Sequence, residues 1–102
     1  MSLTVVLQDE AGRPLGTVID QRGTILALIE GGGGPGKRLL EGIDPYGDAV
    51  FNRLQMETFL DEWATMMERP ESREERELLL AVAQLAEKCR NGMHLYLKFV
   101  GD

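Results

Sequence analysis

Few residues in this chain could do chemistry, and the first to consider sit in an alternating run near the C-terminal end. His94, Tyr96 and Lys98 fall at every second position of His94-Leu95-Tyr96-Leu97-Lys98-Phe99-Val100. On a β-strand they share one face, where an imidazole, a phenol and an ammonium could move protons. The same alternation describes a solvated polar face opposite buried Leu95, Leu97 and Phe99, which is the preferred reading. His94 is the only histidine and Cys89 the only cysteine. Cys89 lies on an apolar helical stripe and reads as a small buried hydrophobe. Neither has a sequence-local partner that would make a nucleophile–base pair. No catalytic residue is assigned, and the chain is expected to hydrolyse and transfer nothing.

Two further patterns imitate ligand sites. Gly31 to Lys37 matches G-x-x-x-x-G-K, the opening of a phosphate-binding loop. That chemistry needs a Ser or Thr next, to ligate magnesium, and a helix whose amides hold the phosphates. Arg38 occupies the magnesium position, and Gly42 and Pro45 leave no room for a long helix. The stretch reads as a mobile glycine loop, with no nucleotide and no cofactor. Asp44, Asp48 and Asn52 are oxygen ligands four apart. A calcium loop wants them at alternate positions with a terminal Glu, so a turn and a helix cap are expected and no metal.

The carboxylates offer recognition rather than catalysis. Glu57 and Asp61 stand four apart on a helical stretch, and the next position at that spacing is Thr65, which gives no counter-charge. Glu71, Glu74 and Glu75 cluster where a second helix starts, a place the helix dipole favours for acids. Together they form an acidic ridge and tip. Tyr46, in the turn Asp44-Pro45-Tyr46-Gly47, is the candidate aromatic anchor beside them. Trp63, Met66 and Met67 could be an adaptable binding patch, but their helical spacing places them in the core.

These residues must be positioned by the surrounding elements. Leu3 to Leu7 alternates and predicts a strand. Leu15 to Asp20 predicts a second strand, Thr24 to Ile29 a third, and Leu39 to Ile43 a fourth; the first three read as an antiparallel meander. Leu54, Met56, Phe59, Leu60, Trp63, Met66 and Met67 recur at helical spacing. That helix starts at an Asn52/Gln55 capping box or at Asp48, and Pro70 stops it. Ser72 to Glu75 is a capping box for a second helix through Leu78, Leu79, Val82, Leu85, Ala86 and Cys89, which ends at Asn91-Gly92. The run from His94 to Val100 predicts a strand that returns to the sheet. The fold class is therefore α+β: an antiparallel sheet of four to five strands with a two-helix hairpin on one face, as a single domain over residues 1–102.

Composition narrows the function. The 102 residues carry a formal charge of -6. That argues against nucleic acid or an anionic membrane, which need a concentrated basic surface. No apolar run approaches the ~20 residues that cross a bilayer. With its first basic residue at Arg13 and a single cysteine, the chain is expected in the cytoplasm. In size, acidity and shortage of catalytic groups it resembles the small bacterial immunity and antitoxin proteins that act by binding a toxin, although no motif carries the likeness. The leading expectation is a non-enzymatic module that binds a basic protein through Tyr46, Glu57, Asp61, Glu71, Glu74 and Glu75. The alternatives are a small-molecule or enzymatic domain using His94, Tyr96 and Lys98, and a homodimer formed through an exposed sheet edge or Trp63.

Overall fold

A computed structural model of the chain describes residues 2–31 and 39–101. The glycine-rich stretch 32–38, for which the sequence predicts a mobile loop without phosphate, lies outside the described residues. Leu3, Val5 and Leu7 are buried and Thr4, Val6 and Gln8 half-buried, so the alternation of the first segment does become strand β1, Leu3–Asp9. It pairs antiparallel with β2, Pro14–Asp20. The turn between them is tied by Asp9, whose Oδ1 accepts from the amides of Ala11 and Arg13, each at 2.9 Å. The final strand, β4, Leu95–Gly101, returns as expected and inserts beside β1. Its other neighbour is β3, Asp48–Asn52, and the four antiparallel strands run in the order β2-β1-β4-β3.

Among the described residues three α-helices accompany this sheet: α1, Thr24–Gly31; α2, Met56–Met66; and α3, Arg73–Asn91. The inner face of the sheet contributes Leu3, Val5, Leu7, Phe51, Leu97 and Phe99 to the core, with Ile25, Phe59, Trp63, Leu79, Val82 and Leu85 from the helices. All three phenylalanines and the one tryptophan of the chain meet there. Phe59 stacks on Trp63 with centroids 5.3 Å apart, and Phe51 meets Phe99 edge-on at 5.8 Å. Such arrangements suit the ring quadrupoles. Trp63 is 0 % exposed, and its Nε1 donates to the carbonyl of Leu79 at 2.9 Å, which ties α2 to α3. Met66 is buried and Met67 and Leu60 pack against the cluster. Trp63 is therefore unavailable as a surface for self-association.

Two segments expected as strands are not strands. Thr24 to Ile29 forms α1, and the three-strand meander does not exist. The cause lies at Asp20, which is 2 % exposed and accepts from the amides of Thr24 (3.1 Å) and Ile25 (2.8 Å). It thereby satisfies amides that open a helix. A short apolar run fits a buried helix as well as a strand, and Leu26, Ala27 and Leu28 favour the helix. Leu39 to Ile43 holds a 3₁₀ turn, Leu40–Gly42. Here Glu62 of α2, 6 % exposed, accepts from the amide of Leu39 at 3.1 Å and of Leu40 at 3.2 Å. Both helical turns are thus fixed by buried carboxylates from neighbouring segments.

The start of α2 follows the first of its two expected caps and not the second. Asp48 opens β3 and caps no helix. The Asn52/Gln55 capping box does form: Asn52 Oδ1 accepts from the Gln55 amide at 3.1 Å, and Gln55 Oε1 from the Asn52 amide at 2.9 Å. It opens a 3₁₀ turn, Arg53–Gln55, that leads into α2. The change of helical phase takes Leu54 off the inward stripe, and it is 82 % exposed. Ser72 caps α3 as expected, its Oγ accepting from the Glu75 amide at 3.1 Å. In the turn before β3, Asp44 Oδ1 accepts from the Tyr46 amide at 2.9 Å. A Cβ at Gly101 would stand 2.5 Å from the Pro45 backbone, so the end of β4 can lie against this turn only as glycine.

Candidate functional site

The expected polar row on the last strand is broken at its first member. His94 precedes β4 and has φ 56°, in the left-handed region, while Tyr96 and Lys98 lie on the strand's outer face. The positive φ interrupts the period-2 alternation that the sequence implied. His94 Nδ1 approaches Glu10 Oε2 at 3.6 Å, both side chains well exposed, and Lys98 Nζ approaches Asp48 Oδ2 at 3.4 Å. The imidazole and the ammonium are therefore each beside a different carboxylate, on different elements. Cys89 is buried as expected; burial pushes its thiol up to about 11, and its Sγ lies 3.4 Å from the Leu95 carbonyl. At neutral pH it is a protonated thiol, the unreactive form.

The acidic candidates divide into two kinds. Glu57 and Asp61 are exposed on α2, a helix with no Lys or Arg. Among the described residues neither carboxylate has an ion-pair partner. Glu74 instead approaches Arg22 at 3.7 Å, and Glu75 Oε1 accepts from the Ser72 hydroxyl at 3.0 Å. Glu71 is exposed just before α3. Tyr46 is 75 % exposed in its turn before β3, so it stands on a different element from either acidic group.

Two clefts border these groups. The larger, about 590 Å³, lies where β2 turns into α1 beside the start of α3; its lining includes Asp20, Arg22, Ser72, Glu74 and Glu75. The smaller, about 360 Å³, lies where β3 passes into α2 and the end of α3 passes into β4. Arg53, Leu54, Met93, His94 and Tyr96 are among its lining residues. Lys98, one row along the sheet, is not. Sequence reasoning missed this second cleft. Its signals were Leu54, two residues after the Asn52 cap and hidden by an assumed continuous helical stripe, and Met93, between Gly92 and His94 past the end of the second helix. Among the described residues no group of three or more His, Cys, Asp or Glu side chains could hold a metal ion, and no helix is long and apolar enough to cross a membrane. No protein-family model, curated protein or solved structure matches the chain.

Proposed function

We propose that this chain is a non-enzymatic protein-binding module that recognises a basic protein surface, as an immunity- or antitoxin-like inhibitor would. The observation that carries the reading is the outer face of α2. Glu57 and Asp61 are exposed there, without a basic neighbour on the helix and without an ion-pair partner among the described residues. Unpaired charge of one sign steers a complementary partner, and the overall charge of -6 adds to that field. Glu71 extends it at the start of α3, and Tyr46 supplies an exposed aromatic side chain for a contact that slows dissociation. The test is affinity capture from the native host with the wild-type chain beside Glu57→Lys/Asp61→Lys. The reading expects a basic protein that the wild type retains and the reversed variant loses. Equal retention by both, or an acidic partner, contradicts it.

A second reading, a small-molecule-binding domain, is favoured by one observation: the cleft of about 360 Å³ beside His94 and Tyr96. A volume above roughly 300 Å³ is within the range of small-ligand pockets.

A further inference from the structure

We propose that the smaller cleft takes a small organic carboxylate with an apolar body, with Arg53 holding the carboxylate and Leu54 and Met93 the body; this rests on the second reading above. Leu54 and Met93 are 82 % and 74 % exposed, two of the most exposed large hydrophobic residues in the described chain. They come from distant parts of the sequence and line one cavity. Each is held there by its backbone. The Asn52/Gln55 capping box fixes the 3₁₀ turn that carries Leu54. Met93 sits between Gly92, where a Cβ would collide with Leu95, and His94 in the left-handed region. Turns fixed in this way spare the backbone part of the ordering cost on binding.

The polar groups select the ligand's charge. No acidic residue lines the cleft, and Arg53, which does, has no ion-pair partner among the described residues. A guanidinium offers paired N–H donors that match a carboxylate. Tyr96, half-buried on β4, adds a phenol to the same wall. An apolar body with an anionic end therefore finds both of its complements in one place. An amine of the same shape is repelled by Arg53, and the carboxylate beside the cleft wall, that of Glu10, already lies 3.6 Å from His94.

The test is a methyl NMR titration of the full chain with hexanoate, hexan-1-ol and hexylammonium. Hexanoate is expected to shift the Met93 and Leu54 methyl signals saturably, with a dissociation constant on the order of millimolar for so small a ligand. In Arg53→Gln that constant should rise at least about fivefold, a loss consistent with one charge-assisted contact. The core methyl signals of Leu79 and Val82 report that the variant remains folded. Hexanol or hexylammonium binding as tightly as hexanoate, or hexanoate binding unchanged in Arg53→Gln, overturns the carboxylate assignment and leaves the small-molecule reading standing. Absence of any saturable shift with all three probes overturns both.

Discussion

Two clefts among the described residues differ in the acids that line them and in what their polar groups are already doing. In the larger, the polar groups hold the fold together. Asp20 binds the first amides of α1, Ser72 and Glu75 close the start of α3, and Arg22 faces Glu74 across the cleft. In the smaller, Arg53 is unpaired among the described residues and Leu54 and Met93 stand in solvent. The outer face of α2, which follows the 3₁₀ turn that holds Arg53, carries Glu57 and Asp61, without an ion-pair partner among the described residues. Volume alone would favour the larger cleft as a site. Polar groups already joined to one another gain little from a ligand, because each new contact must replace an existing one. In the proposed readings recognition belongs to the smaller cleft and to α2, whereas the polar groups at the junction of β2, α1 and α3 are engaged in holding the fold.

The largest effect should come from the core that both regions share. Trp63→Ala removes a fully buried ring and the hydrogen bond to Leu79, and is expected to cost about 3–5 kcal/mol in denaturant unfolding. Small domains have only about 5–15 kcal/mol in all, so the variant should lose a large share of its stability. An unchanged midpoint would put Trp63 on the surface and break the packing account of both regions.

Next comes the wall behind the smaller cleft. The folded state holds the Cys89 thiol up to about 11, from an ordinary 9.0. Between these values the unfolded chain has lost the proton and the folded chain keeps it, so stability falls as pH rises. The full stabilisation is present below pH 9 and disappears by pH 11, an effect of up to about 3 kcal/mol. Unfolding measured across that range should show this slope in the wild type and lose it in Cys89→Ala. Equal slopes would mean that the thiol is not in a dry interior.

Asp20→Ala then tests the junction directly. It leaves the amides of Thr24 and Ile25 without their acceptor and should cost about 2 kcal/mol. Arg53→Gln and Glu57→Lys/Asp61→Lys are the smallest in this sense: each should change stability by less than about 0.5 kcal/mol. If Arg53→Gln destabilised the fold as much as Asp20→Ala, the distinction between the two clefts would be lost.

These differences also explain which parts of the structure could be read from the sequence. Strong periodicity over long segments carried β1, α3 and most of α2, and the alternation of Leu95, Leu97 and Phe99 carried β4. The capping residues Asn52 and Ser72 act locally and were legible for that reason. Asp20 and Glu62 were not, because each binds amides of a different element. Asp20 turned an expected strand into α1, and Glu62 did the same for the turn Leu40–Gly42 across 22 residues. β3 was hidden by Asp48 and Asn52 at its ends, which resemble helix caps more than strand residues. Of the candidate site, the exposure of Glu57, Asp61 and Tyr46 was legible. The separation of His94 from Tyr96 and Lys98 was not, since a single positive φ undoes a period that looks unbroken in the sequence.

The proposal that the exposed acids on α2 steer a basic partner is tested most directly by association kinetics. Once the partner is in hand, the association rate should be measured for the wild type and for Glu57→Lys/Asp61→Lys, each at low and at high salt. Screening shortens to about 3 Å at 1 M ionic strength, so a steered wild type should associate several-fold more slowly there. The reversed variant should associate slowly at low salt and respond little to added salt. A wild-type rate indifferent to both salt and charge reversal would contradict the claim.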